Sequence, residues 1–126
     1  MIIAFSPIPH RNQRYETLGD WFYKGEGFLQ IHVSLVGNED YEFLLLFHEL
    51  VEAWLCRKRN ISSADVDRFD MSYVGDGEPG DHPTAPYHKE HVFATLLEKT
   101  MAGELGIDWD EYEHDLELFL KSRRDR

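Results

Sequence analysis

The sequence predicts an α+β fold, a small N-terminal antiparallel sheet followed by about four helices, in one domain spanning residues 1–126. Three observations carry that expectation. Leu29, Ile31, Val33 and Leu35 alternate with Gln30, His32 and Ser34, which is the period of a strand with one buried face. Lys24-Gly25-Glu26-Gly27 lies between that run and an earlier one in the manner of a hairpin connection. After Gly37-Asn38 the pattern changes to helical spacing, so the strand half and the helix half are separate. At 126 residues and 42% hydrophobic, the chain can build one core and hardly a second.

In chain order, Ile2 to Phe5 should form a short strand halted by Ser6-Pro7-Ile8-Pro9, because two prolines in three residues remove ladder donors. Residues 10–14 read as polar loop. Tyr15 to Tyr23 and Phe28 to Val36 should pair as the hairpin, with His32 on its more polar face as an exposed strand histidine. Asn38 can cap a long helix to about Arg59, with Glu39 and Asp40 in its first turn and Arg57, Lys58 and Arg59 in its last, as the helix dipole favours. Asn60 suits the left-handed position beyond it. Ser62-Ser63-Ala64-Asp65 restarts a short helix through about Tyr73. Residues 75–86 hold three glycines and three prolines, too many for regular structure, in a connection long enough to suggest a functional loop. Pro86 fits the first turn of a helix running from Tyr87 to about Leu105. Asp108-Trp109-Asp110-Glu111 resembles a capping box opening a last helix, whose Trp109, Tyr112, Leu116, Phe119 and Leu120 form a stripe expected to be plain core.

Charge narrows the function classes. Thirteen Lys plus Arg against 24 Asp plus Glu give a formal net charge of -11, which repels phosphate backbones and anionic lipid, so neither nucleic acid nor membrane is an expected partner. The basic tail Lys121 to Arg126 is too short to alter this. The single cysteine, Cys56, cannot form an internal disulfide, and it reads as a packed thiol. With no signal-peptide pattern and no apolar run of membrane-spanning length, a soluble cytoplasmic protein is expected.

The chemistry concentrates in His48-Glu49-Leu50-Val51-Glu52. The surrounding helix carries Phe43 to Phe47, Leu50, Val51 and Ala53 to Leu55, so it should be buried on most sides. Buried carboxylates are costly unless a cation or a donor meets them. Residues four apart on a helix point the same way with Cβ atoms about 5–6 Å apart, so His48 and Glu52 can grip one divalent ion. Glu49, one position round, is placed to act as a general base on a water at that ion without being a ligand. A third ligand must come from elsewhere, and His91 is preferred because it begins the apolar part of its helix; His88, Glu98 and Asp81 are the alternatives. Zn is the expected metal, with Mn or Fe as the alternatives that more carboxylate ligands would bring closer.

A hairpin leading into an HExx helix, with a later helix offering a third ligand, resembles the minimal zincin metalloprotease architecture over roughly residues 15–100. That resemblance implies His48 and Glu52 as ligands, Glu49 as general base, and the strand from Phe28 to Val36 as an edge along which a peptide substrate lies. It departs at Glu52, where zincins carry histidine. The strings HELVEAWLCRKR and EPGDHPTAPYHKEHVFAT are also similar to an uncharacterised family met in bacterial and phage genomes. This implies that loop and helix border one cleft, where Tyr87 is a candidate to stabilise an oxyanion. The resulting expectation is a metal-dependent hydrolase or zincin-like metal-binding protein acting on a peptide or other small carbonyl substrate. The rival is a non-enzymatic acidic interaction or inhibitor protein, in which the same residues form a metal-free polar core and the acids face outward.

Overall fold

The computed structural model describes residues 1–124; Asp125 and Arg126, the end of the basic tail, lie outside the described residues. The fold is α+β: a three-stranded sheet of β1 (Ile2–Ile8), β2 (Gly19–Tyr23) and β3 (Phe28–Ser34), then helices α1 (Glu39–Lys58), α2 (Ser63–Ser72), α3 (His88–Glu104) and α4 (Trp109–Arg124). The strand order is β1-β3-β2. β2 and β3 form the expected antiparallel hairpin about residues 24–27, but β1 runs parallel to β3, so the sheet is mixed rather than antiparallel. β1 also continues through Pro7, paired opposite Val33, instead of stopping at Phe5. An edge strand has one side without ladder bonds, and proline is tolerated there. β3 is consequently the central strand and offers no free edge to a peptide. The edge nearest the helices' polar residues is β2.

Leu29, Ile31 and Val33 are fully buried and pack with Leu45, Ala53 and Cys56 of α1, joined by Trp21, Val66 and Tyr87. The opposite face of β3 is not open as its polar residues suggest. Gln30 is buried and donates to Ser6 Oγ at 3.2 Å, and Ser34 is covered by residues 10–13, with Gln13 Nε2 donating to its Oγ at 3.0 Å. His32 is half-buried, edge-on to the ring of Phe22. A second cluster places Tyr112 of α4 against Leu44 and Ala102, and Leu116 touches both clusters.

Local signals set the helix ends. Asn38 Oδ1 accepts from Tyr41 N–H at 3.1 Å to open α1, and Asn60 takes the positive φ that follows it. α1 is less enclosed than its composition suggests. Leu44, Leu45, His48, Glu52, Ala53 and Cys56 are buried, whereas Phe43 and Trp54 stand about two-fifths exposed on the far side. α3 starts one residue later than expected, with Tyr87 as its cap, which leaves Pro86 outside the helix. The loop before it contains one short 3-10 turn, Pro79–Asp81. Among the described residues no helix is long and apolar enough to cross a membrane.

Candidate metal centre

α1 and α3 pack along each other and bring their buried polar residues face to face. His48 and Glu52 come from α1 and His91 from α3, and all three are buried. Glu52 Oε2 lies 3.1 Å from His48 Nε2 and 2.9 Å from His91 Nδ1, and the two ring nitrogens are 3.2 Å apart. Three donors therefore form a nearly equilateral triangle. Bond lengths of about 2.0–2.2 Å in a tetrahedral zinc site set ligand atoms roughly 3.3–3.5 Å apart, so the triangle needs only a few tenths of an ångström of expansion to form one face of such a site. Of the four candidates for a third ligand, His91 is the one whose nitrogen completes it.

The rival ligands serve other positions. Glu98 Oε1 accepts from His48 Nδ1–H at 2.8 Å, and its other oxygen accepts from Tyr112 Oη at 2.6 Å. A carboxylate on the distal nitrogen of a ligand histidine fixes the ring and makes the other nitrogen a better donor to metal. His88 is turned away, its Nδ1–H donating to the carbonyl of Gly80 at 2.9 Å. Asp81 lies on the outer nitrogen of His91, 3.0 Å from Nε2. Trp21 Nε1–H, from edge strand β2, donates to Glu52 Oε1 at 3.0 Å and leaves Oε2 pointing at the triangle.

Charges inside this knot are strongly displaced. Burial works against a charged His48, but Glu52 and Glu98 outweigh it, and the ring's pKa stands well above the ordinary histidine value. Burial likewise opposes charge on His91, yet Glu52 and Glu78 push it up to about 10. Glu52 is held down to about 2 because the two rings overcome its own burial. Glu49 responds in the opposite sense: burial, then the negative Glu52, raises its carboxyl well above the usual carboxylate range. Its Oε2 is 3.8 Å from His48 Nε2, beside the triangle rather than part of it. Gly19 of β2 permits this placement, since a Cβ there would lie 2.8 Å from Glu49 Cγ.

An open cleft of about 430 Å³ leads to the triangle. α4 forms one wall, where Trp109, Leu116 and Leu120 face the cleft and Tyr112 reaches Glu98, so the stripe expected to be plain core also shapes the site. Tyr87 borders the cleft as expected, but its hydroxyl donates to Asp70, which also accepts from Tyr15 Oη at 2.9 Å. Burial lifts the Asp70 carboxyl to about 6 despite these two donors. Tyr87's proton is thus already engaged inside the protein. Sequence reasoning missed Tyr112, Trp21 and Asp70. Each is an ordinary packing or surface residue by pattern, and only the fold brings it to the buried acids. No protein-family model, curated protein or solved structure matches the chain.

Proposed function

We propose that this chain is a metal-dependent hydrolase of zincin-like design, with His48, Glu52 and His91 as the ligands of a divalent ion, Zn first. The observation that carries the reading is the donor triangle itself: two imidazole nitrogens and one carboxylate oxygen within 3.2 Å of one another, with His48 held by Glu98 and Glu52 by Trp21. A bound zinc ion would supply Lewis acidity toward a carbonyl or phosphoryl oxygen and would acidify water. The rest is the work of the chain's own side chains. Glu49, whose Oε2 lies 3.8 Å from His48 Nε2 beside the triangle, is placed to take a proton from the attacking water in its ionised form and return it to the leaving group. Glu98 and Tyr112 hold His48, and Trp21 holds Glu52.

A peptide or similarly extended carbonyl substrate fits the cleft's setting, because edge strand β2 borders it through Gly19, Asp20 and Trp21. The burial of Glu52 and Glu98 against the two rings favours this reading over an acidic interaction protein, whose carboxylates would face outward. The test is calorimetric titration of chelator-treated protein with Zn²⁺, alongside cleavage of a quenched-fluorescence peptide library. The expected result is stoichiometric binding at the triangle that His48→Ala removes, with turnover lost in Glu49→Gln. Absence of zinc uptake by the wild-type protein would overturn the reading.

A further inference from the structure

Nε2 of His91 is an anomaly. The residue is only 4% exposed, and the atom makes no hydrogen bond, although Asp81 Oδ1 lies 3.0 Å away and Glu78 Oε2 3.3 Å away. Two carboxylate oxygens crowd one buried nitrogen without either meeting its N–H in hydrogen-bond geometry. An unpaired buried donor is costly, so such a group calls for another partner. The same ring's Nδ1 is occupied by the inner triangle. The two 3.0–3.3 Å separations approach the ligand spacing of roughly 3.3–3.5 Å that a small divalent ion at about 2.0–2.2 Å imposes.

We propose that Glu78, Asp81 and Nε2 of His91 form a second divalent-cation site, with the His91 ring bridging it to the inner one. The ligand atoms of this outer group all lie within 4.8 Å of one another. Its two carboxylates are more than half exposed, so water can complete the coordination shell. The chain is shaped to bring them there. Gly80, between them in the 3-10 turn Pro79–Asp81, lies so close to the ring that a Cβ would stand 2.4 Å from His91 Cγ, and His88 pins the Gly80 carbonyl. One nitrogen with two carboxylates suits Zn²⁺ or Mn²⁺ better than Ca²⁺. On binding, the Nε2 proton passes to solvent and the ring carries an ion on each nitrogen. The outer ion then ties the loop of residues 75–87 over the cleft, and it should bind after the inner ion and more weakly. The bridge rests on the inner site proposed above; ligation by Glu78 and Asp81 does not.

The experiment counts ions. Chelator-treated wild-type protein is titrated with Zn²⁺ and then loaded with Cu²⁺ for electron paramagnetic resonance, in parallel with the E78Q/D81N and His48→Ala variants. The expected result is two Zn²⁺ per wild-type chain and one for E78Q/D81N. With two Cu²⁺ per chain, the signal should diminish through imidazolate-mediated coupling, while E78Q/D81N keeps an uncoupled one-copper spectrum. One ion per wild-type chain, retained by E78Q/D81N and lost in His48→Ala, overturns the outer site and leaves the inner one standing. One ion lost in E78Q/D81N but kept in His48→Ala overturns the bridge and the inner site together. Two ions with uncoupled spectra overturn the bridging role of His91.

Discussion

Replacing Glu52 with Gln tests whether the buried knot is a metal site or only a polar core. The amide keeps the side chain's shape and an oxygen for Trp21 Nε1–H, but it removes the charge lying 2.9 and 3.1 Å from two histidines. In the metal-free protein His91 stands at about 10 against an ordinary 6.5. Each unit is about 1.4 kcal/mol, so that displacement amounts to at most ~5 kcal/mol, shared with Glu78. The depressed Glu52 is the same interaction seen from its partner and is counted once. Breaking a buried pair costs about 3–5 kcal/mol. A loss of ~3 kcal/mol at pH 6 is therefore expected, or about 10 °C in Tm for a chain of this length.

The pH dependence follows with a definite sign. Histidines raised in the fold contribute fully below about 6.5, and that contribution fades as pH climbs toward the folded value of about 10 for His91. Glu52, depressed to about 2, contributes above about 4.5 and is lost as pH falls toward 2. The metal-free protein should be most stable between these limits. Zinc has the opposite trend, since protons compete with it: its increment should grow from pH 6 to pH 9, reaching about 2.7 kcal/mol at one hundred times its Kd. Urea unfolding from pH 5 to 9, with chelator or with Zn²⁺, reads both slopes. A zinc increment absent at pH 8, or a Glu52→Gln protein as stable as wild type at pH 6, refutes the reasoning.

Four further substitutions separate the roles of neighbours. Glu49→Gln should leave zinc affinity within a few fold while lowering kcat by about 10²–10⁴, the usual worth of a general base; calorimetry and peptide cleavage measure the two. Glu98→Gln should weaken zinc about 10–100-fold by loosening His48, and Tyr112→Phe should act in the same direction more weakly. Gly80→Ala puts a methyl 2.4 Å from His91 Cγ and should cost about 1–3 kcal/mol together with zinc binding, read by unfolding and titration.

The fold's outline and the site's first three residues are legible because each rests on a local signal. The hairpin connection, the Asn38 cap and the i, i+4 spacing of His48 and Glu52 are all written within a few residues. His91 needed one more step, the expectation that a polar residue at the start of an apolar helix face points at its neighbour. What was not legible depends on distant pairing. β1 adds to β3 in parallel across the intervening residues 9–27, and the prolines that suggested an early end are harmless on an edge. That one placement moves β3 to the centre and makes β2 the border of the cleft. Helix α1 misled by composition: Phe43 and Trp54 continue its apolar run yet face outward, because the sheet and α3 cover only part of its circumference. Tyr112 and Trp21 carry no sign in the sequence that their polar ends are needed. Their hydroxyl and indole N–H matter only because Glu98 and Glu52 are buried opposite them.

Protons on the two rings can occupy the positions in the donor triangle that a metal would take. Both rings are displaced upward and Glu52 is held ionised, which favours the doubly protonated form of each ring, and the triangle nitrogens bearing those protons are the ones a metal would take. Exchanging two protons for one divalent ion leaves the charge of the buried knot unchanged. The surrounding carboxylates then meet nearly the same field before and after binding, and little reorganisation is required. Such an exchange is directly countable. Zinc titration at pH 7, repeated in buffers of different ionisation enthalpy, should show release approaching two protons for the inner ion. The value should fall in Glu52→Gln, where the rings lose the charge that protonates them. Release near zero in the wild-type protein would mean that the rings are neutral before zinc arrives, and the electrostatic account of the triangle would fail while its geometry remained.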